Sequence, residues 1–259
     1  MSLSSAVQSD RVAELNESGY TVFPGVFSQD EIARMRSFLE KKLDDRTEQM
    51  AQGNSSLALL DIYSRYRETR WILYHEGMNA ILRRLLDVSM PVNLRAATLL
   101  HQKSAYWHNE TMDFEDVGYD FHRKPGCIML QTVIYLQDNV GEYGAALEVD
   151  GGSHHLPDPF IPLATARDYR AKNSRSPETR CGDLLIFDWR LAHKATPGNE
   201  GLPGVGRKLG IFSSYTNEVK YAKLYHEFLD STDRFPYMHG LTPPPELIEE
   251  AAEHSIIVL

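Results

Sequence analysis

The chain has 259 residues, with 27 Lys or Arg against 36 Asp or Glu and a formal net charge of −9. This length is enough for one large domain with a substantial core, and the acidic balance argues against a protein that binds the phosphate backbone of nucleic acids. No apolar run approaches the about 20 residues needed to span a bilayer, and the N-terminus lacks the features of a signal peptide, so a cytoplasmic protein without a membrane partner is expected.

The first third of the chain carries helical patterns. After an extended apolar stretch, Ser28 is followed three residues later by Glu31, which is the pattern of a capping box. Apolar residues then recur at helical spacing, which predicts an amphipathic helix that runs to about Lys42 or beyond. A second helical region is predicted over roughly 68–87. We therefore expect a helical N-terminal part over about residues 1–90.

From about residue 92 the chain changes to short apolar runs separated by Gly, Pro, Asn and Asp. This pattern is typical of an all-β sandwich or barrel. Because helices come first and strands afterwards, we expect a single α+β domain, 1–259, with a double-stranded β-helix (jelly-roll, cupin-like) core over about 91–220. The N-terminal helices should pack on one sheet, and 221–259 should form a C-terminal extension. The poorly periodic segment 157–180 is a candidate active-site flap.

Two histidines and a glutamate occur where a metal site could form. His108 and Glu110 are alternate residues, so their side chains share a face in an extended segment. His193 ends a predicted strand much later in the chain, and distant strands become neighbours in a jelly roll. Two imidazoles and one carboxylate form the facial triad of non-haem Fe(II) oxygenases. The alternative first histidine is His122; a lysine stands two residues after it, so the carboxylate would come from elsewhere, such as Asp120.

Arg207 is a candidate anchor for a cosubstrate. It follows His193 in the chain and stands at the start of the next apolar strand. The cosubstrate 2-oxoglutarate binds iron through its 2-oxo acid end, and its distal carboxylate needs a fixed cation. The planar guanidinium of an arginine suits a carboxylate because it can donate two parallel hydrogen bonds. The triad and the arginine together predict an oxygenase that uses Fe(II) and 2-oxoglutarate.

These residues resemble the phytanoyl-CoA dioxygenase-like family of Fe(II)/2-oxoglutarate-dependent oxygenases, and the resemblance covers most of the chain. "NESGYTVFPGVFSQDEIARMRSFLE" is similar to the family's N-terminal strand and helix, "YWHNE" to its Trp-His-x-Asp segment, and "TVIYLQDNVGEYGAALEVDGGSHH" to its Gly-Ala-Leu and Pro-Gly-Ser-His run. "GDLLIFDWRLAHKATPGN" resembles the strand with the distal histidine. The resemblance implies that His108, Glu110 and His193 hold iron and that Arg207 binds 2-oxoglutarate.

Further candidates complete the expected site. The family usually has Asp where this chain has Glu110, and often a hydroxyl where it has Ala195, for which the adjacent Thr196 is expected to substitute. Gln131 lies on the inward face of an apolar strand; its amide is either a donor to the 2-oxoglutarate carboxylate near iron or a satisfied polar core residue. The side chains expected to line a substrate pocket are Tyr106, Tyr135, Trp189 and His122.

The resemblance implies hydroxylation of an unactivated C–H bond, with decarboxylation of 2-oxoglutarate to succinate, O2 as the second cosubstrate and ascorbate as reductant in vitro. The composition of the segments around the site favours a small polar or amphipathic substrate, as in specialised metabolism. Two rival classes remain open: a cupin-like isomerase or hydrolase that uses another metal, and a non-enzymatic jelly-roll binding module. Dependence on 2-oxoglutarate distinguishes the oxygenase from the first, and iron binding distinguishes it from the second.

Overall fold

The computed structural model describes residues 5–45, 50–51, 56–94, 97–102, 106–114, 117–140, 147–156, 168–196, 207–233 and 236–259. Within them the chain has an α+β fold, as predicted, in which helices cover one face of a large β-sheet and a small sheet covers the other. The helices are α1 (Ser5–Ser18), α2 (Gln29–Asp44), α3 (Ile62–Arg65), α4 (Arg70–Leu73), α5 (Glu76–Leu86), α6 (Val219–Ser231) and α7 (Pro245–Glu253).

The strands, in chain order, are β1 (Tyr20–Phe23), β2 (Met50–Ala51), β3 (Ser56–Leu59), β4 (Val92–Asn93), β5 (Thr98–Gln102), β6 (Met129–Tyr135), β7 (Leu147–Asp150), β8 (Ser174–Arg175), β9 (Leu184–Asp188), β10 (His193–Ala195), β11 (Gly210–Thr216) and β12 (Ile257–Val258). The larger sheet has the order β1-β9-β6-β11-β5-β3-β2, with β4 paired to β11 and β12 paired to β4. The smaller sheet has the order β10-β7-β8.

Helix α2 begins at the predicted capping box. The Glu31 N–H donates to Ser28 Oγ at 3.3 Å, and the Ser28 N–H donates to Glu31 Oε2 at 2.7 Å. The apolar positions of α2 are buried against the larger sheet, as their helical spacing predicts: Ile32, Met35, Leu39 and Leu43. The second predicted helical region is interrupted between α4 and α5. There the His75 ring accepts a hydrogen bond from the Met78 N–H at 3.3 Å and starts α5.

The N-terminal part is not purely helical, which corrects the predicted boundary at residue 91. Strands β1, β2 and β3 precede that boundary and belong to the larger sheet. Strand β1 pairs antiparallel with β9, with Tyr20 opposite Phe187. The C-terminal extension also returns to the sheet, because β12 pairs parallel with β4. Among the described residues, no helix is both long and apolar enough to cross a membrane.

The two faces of the larger sheet have different partners. Side chains alternate along a strand, so one set of residues on β6 and β11 faces the helices and the other set faces the smaller sheet. Ile134 and Ile211 pack in the core shared with the helices. Val133 packs with Leu147 of β7 and with Phe187 in the space between the two sheets, which we call the barrel interior. His193 borders this space, because its ring centroid lies 4.6 Å from that of Phe187.

Candidate metal centre

A tight turn places His193 in the smaller sheet. Strand β9 ends at Asp188, whose carboxylate accepts hydrogen bonds from the backbone N–H of Arg190 at 2.8 Å and from its guanidinium at 2.9 and 2.7 Å. The Asp188 carbonyl accepts from the Leu191 N–H at 2.9 Å. His193 then begins β10, opposite Val149 of β7. The prediction that His193 ends the preceding strand is wrong, because this turn divides the apolar run between two sheets.

His108 and Glu110 are held beside His193 by backbone hydrogen bonds. His108 and His193 form an isolated antiparallel bridge, and their ring centroids lie 4.2 Å apart. The Glu110 N–H donates to the Trp189 carbonyl at 2.9 Å, and Glu110 Oε1 lies 3.4 Å from His193 Nε2. One ligand atom from each of the three side chains lies within 4.8 Å of the other two. The three predicted ligands therefore converge on one point.

Both histidines are oriented by carbonyl groups two residues earlier in the chain. His108 Nδ1 lies 2.8 Å from the Tyr106 carbonyl oxygen, and His193 Nδ1 lies 2.9 Å from that of Leu191. A carbonyl oxygen can only accept, so each Nδ1 carries a hydrogen, and in the neutral ring Nε2 keeps the lone pair that can bind a metal. This is the arrangement that fixes the tautomer of metal-binding histidines. The sequence could not indicate it, because any residue supplies a backbone carbonyl.

Burial and neighbouring groups shift the pKa of His108 and that of Glu110. Burial and the neighbouring His193 lower the pKa of His108 to about 4, so its ring is neutral near pH 7. Burial acts to raise the pKa of Glu110, but the nearby imidazoles of His193 and His108 outweigh it and lower that pKa, which favours the carboxylate form. Two imidazole nitrogens and one carboxylate can hold a divalent transition metal.

His122, the alternative first ligand, lies elsewhere. It is 4% exposed in a turn between β5 and β6, and its ring centroid is 5.4 Å from that of Phe114. Burial, followed by the charges of Arg123 and Arg190, lowers its pKa to about 4. The three-residue cluster contains His108 and not His122. Of the two alternatives left open by the sequence, the geometry brings His108 to His193.

Arg207 is not brought to the cluster. Its side chain is 42% exposed, its Nη1 lies 2.6 Å from Asp44 Oδ1, and its carbonyl accepts a hydrogen bond from Arg36 at 2.9 Å. Both partners belong to α2, so Arg207 faces the helices. The predicted contact of Arg207 with a cosubstrate stays a prediction.

Gln131 and Thr196 lie nearer to His193. Gln131 is opposite Phe187 in the sheet, and the Phe187 ring contacts that of His193. The Gln131 amide already accepts from Ser214 Oγ at 2.7 Å and donates to the Thr132 carbonyl at 3.2 Å. Thr196 directly follows β10, and its carbonyl accepts a hydrogen bond from the Lys208 ammonium. The predicted contacts of Gln131 and Thr196 with a cosubstrate stay predictions.

The other predicted pocket residues occupy three different environments. Tyr106 is 59% exposed and supplies the carbonyl that orients His108. Tyr135 is buried on the inner face of β6. Trp189 is 2% exposed and packs in an aromatic cluster, 6.1 Å from the Phe114 ring and 5.0 Å from the Tyr225 ring. The Trp189 side chain is therefore part of the core, and its carbonyl serves the site by holding Glu110.

Part of the predicted flap can be placed. Residues 157–167 lie outside the described residues, whereas 168–180 are described and include β8 of the smaller sheet. The Tyr169 hydroxyl donates to Asp150 Oδ2 at 2.6 Å, and the Asn173 N–H donates to Asp150 Oδ1 at 2.7 Å. The Tyr169 ring centroid is 5.5 Å from that of Trp107. This end of the segment is therefore fastened next to the residue that precedes His108.

No family model matches the chain, and no curated protein matches it. Solved structures do match. The chain is similar to SnoN, a non-haem α-ketoglutarate-dependent epimerase from nogalamycin biosynthesis. The matched SnoN structure contains Fe3+, α-ketoglutarate and nogalamycin RO. The identity is 18%, the match covers 93% of this chain and 94% of that one, and the TM-score is 0.67. SnoK, a non-haem α-ketoglutarate-dependent carbocyclase from nogalamycin biosynthesis, matches at 19% identity over 83% and 84%, with a TM-score of 0.65.

HygX from Streptomyces hygroscopicus, with nickel and 2-oxoglutarate bound, is 17% identical over 83% of this chain and 87% of that one, with a TM-score of 0.61. At these identities the likeness shows the fold. The matches confirm the predicted jelly-roll class. They also confirm, in fold, the predicted resemblance to enzymes that depend on non-haem iron and 2-oxoglutarate.

Proposed function

We propose that this protein is an Fe(II)- and 2-oxoglutarate-dependent oxygenase whose metal is held by His108, Glu110 and His193. The observation that carries the proposal is the convergence of one carboxylate and two oriented imidazoles within 4.8 Å beside the barrel interior. Two histidines and one carboxylate on one side of a metal leave further coordination positions for a cosubstrate and O2. The fold of SnoN and HygX supports the same assignment.

The residues of the chain prepare this chemistry in three ways. The Tyr106 and Leu191 carbonyls orient the two Nε2 lone pairs, so the ligands need little rearrangement when a metal binds. Glu110 supplies one negative charge and reduces the net charge of the centre. The apolar side chains of β6, β7 and β9 keep the barrel interior dry. When bound, the iron couples the decarboxylation of 2-oxoglutarate to the oxidation of a C–H bond by O2.

We propose hydroxylation of an unactivated C–H bond as the reaction, and a small polar or amphipathic molecule as the substrate. Hydroxylation needs no second reacting group on the substrate or on the protein. SnoN and HygX were solved with nogalamycin RO and with hygromycin B bound, which supports a small-molecule substrate here. SnoN is described as an epimerase and SnoK as a carbocyclase, so the mass of the product decides between the outcomes: only hydroxylation adds one oxygen atom.

The test is succinate formation from 2-oxoglutarate with Fe(II), ascorbate and O2. Wild-type protein should form succinate slowly even without substrate, and His108→Gln should abolish this turnover. His122→Gln is the matched control, because it removes the same type of side chain from outside the cluster; it should retain turnover. Protein that binds neither Fe(II) nor 2-oxoglutarate would instead be a binding module. Activity with zinc or manganese that needs no 2-oxoglutarate would indicate the cupin-like alternative.

A further inference from the structure

Lys208 and Arg207 lie on opposite faces of the chain that leads into β11. Arg207 contacts α2, and Leu209 is fully buried in the core shared with the helices. Lys208 stands between them and therefore faces the other way, toward the barrel interior, as Gly210 and Phe212 do. Lys208 is 6% exposed, whereas the Arg207 side chain is 42% exposed. The buried cation at this position of the fold is thus the lysine.

The ammonium group of Lys208 is hydrogen-bonded to the segment that follows His193. Its Nζ donates to the carbonyl of Thr196, which directly follows β10. His193 is the first residue of that short strand. Lys208, two residues before β11, is therefore linked to the residue that follows the strand with a metal ligand. Water screens a buried charge poorly, so an ammonium at this position attracts an anion more strongly than one at the surface does.

A buried tyrosine lies diagonally across the sheet from position 208. Tyr135 is directly opposite Gly210 in the sheet, so Lys208 is its diagonal neighbour, a relation in which long side chains can meet. A Cβ atom at position 210 would lie 3.1 and 3.2 Å from carbons of the Tyr135 ring, so the glycine gives the ring its space. Tyr135 is 3% exposed in the core between the two sheets. Burial raises the pKa of Tyr135, which keeps the hydroxyl a donor.

We propose that Lys208 and Tyr135 bind the distal carboxylate of 2-oxoglutarate, in the role that the sequence suggested for Arg207. This inference rests on the proposed function. The carboxylate accepts from the ammonium and from the phenol, and the 2-oxo acid end reaches the metal held by His193 and its partners. A lysine ammonium is a compact charge on a flexible side chain, whereas an arginine guanidinium is planar and can donate two parallel hydrogen bonds. The Tyr135 hydroxyl therefore supplies the second hydrogen bond to the carboxylate.

The experiment compares two ligands on protein loaded with Mn(II), which binds the 2-oxo acid without turnover. Isothermal titration calorimetry measures the affinity for 2-oxoglutarate and for 2-oxobutyrate, which lacks the distal carboxylate. Lys208→Met should lower the affinity for 2-oxoglutarate by about 10- to 100-fold, the usual effect of losing a charged hydrogen bond. It should leave the affinity for 2-oxobutyrate unchanged. Tyr135→Phe should lower the affinity for 2-oxoglutarate by about 3- to 10-fold and leave that for 2-oxobutyrate unchanged. Arg207→Met is the matched control and should change neither affinity.

Four results overturn the inference, and the first three leave the proposed function in place. If Arg207→Met selectively lowers the affinity for 2-oxoglutarate and Lys208→Met does not, the distal carboxylate binds to the arginine. Equal losses of both ligands in Lys208→Met mean that the lysine only supports the barrel. Unchanged affinity in both Lys208→Met and Tyr135→Phe means that the carboxylate binds elsewhere. Wild-type protein that binds neither Mn(II) nor either 2-oxo acid overturns the inference together with the proposed function.

Discussion

His108 and His193 each donate a backbone N–H to the carbonyl of the other, at 2.9 and 2.8 Å, although the two residues are far apart in the chain. This reciprocal pair sets the two ring centroids 4.2 Å apart. Because the spacing is set by main-chain hydrogen bonds, the two imidazoles are positioned without a metal. The site is therefore preorganised, and its disruption should affect metal binding more than folding.

Glu110→Gln should impair metal binding while the fold is kept. The substitution preserves the size of the side chain and removes the only negative ligand of the three-residue cluster. Loss of a residue that only hydrogen-bonds a metal ligand typically lowers metal affinity by about 10- to 100-fold. Loss of a ligand itself should lower the affinity by more than this. Calorimetric titration with Mn(II) measures the effect. The exposed Glu17→Gln removes the same charge elsewhere and should bind Mn(II) as wild type does; comparable affinities for the two variants would argue against Glu110 as a ligand.

Ser28→Ala should destabilise the protein by about 1 kcal/mol, because it removes the side-chain acceptor of the capping box that starts α2. The midpoint of urea unfolding measures the change. Ser37→Ala is the control, since Ser37 is exposed in the middle of the same helix, where alanine is the better helix former. The Ser37 variant should be as stable as wild type or slightly more so. Equal losses in both variants would show that the cap contributes nothing specific.

Gly182→Ala should cost more stability than Gly126→Ala. Both glycines have positive φ, +97° and +86°, a backbone conformation that costs a side-chain-bearing residue about 1 to 3 kcal/mol. A Cβ at Gly182 would also overlap the carbonyl oxygen of Phe27, whereas one at Gly126 would meet nothing within 4 Å. The difference in unfolding free energy between the variants isolates the backbone overlap, which should add about 1 to 3 kcal/mol. No difference would mean that the chain before α2 can shift freely.

His122 should make stability depend on pH. Its pKa is about 4 in the folded protein against 6.5 for an ordinary histidine, mainly because the ring is buried. Between these values the unfolded chain binds a proton that the folded chain does not, so the free energy of unfolding falls as pH falls from 6.5 to about 4. The slope from this group is at most about 1.4 kcal/mol per pH unit. His122→Gln should flatten the pH dependence of urea unfolding across this window, and a variant that keeps the wild-type slope would contradict the assignment.

Local signals in the sequence predicted the parts of the fold that local chemistry determines. The capping box at Ser28 and Glu31 indicated the start of α2, and the spacing of apolar residues indicated its buried face. The alternation of His108 and Glu110 indicated the candidate cluster. The strands of the jelly roll could be recognised individually, but not their division between two sheets, because that division depends on the turn after Asp188.

Two features of the structure that the sequence did not indicate depend on contacts between residues distant in sequence. The direction of Arg207 follows from its position relative to β11, and the pairing with Asp44 of α2 could not be read from either segment alone. If the alternation of β11 is extended two residues before Gly210, Lys208 falls on the same face as Gly210, so the sequence did carry a pattern that indicated a lysine facing the barrel interior. The contribution of β1 to the larger sheet was also hidden, since its partner β9 lies in the last third of the chain.

The most direct test of the metal centre is an anaerobic titration of 2-oxoglutarate into protein loaded with Fe(II), followed by the visible charge-transfer band that forms when a 2-oxo acid chelates ferrous iron. Wild type and His122→Gln should both develop a saturable band, and His193→Ala should develop none. A wild-type protein without the band, or a band of full intensity in His193→Ala, would contradict the assignment of His108, Glu110 and His193 as the metal ligands.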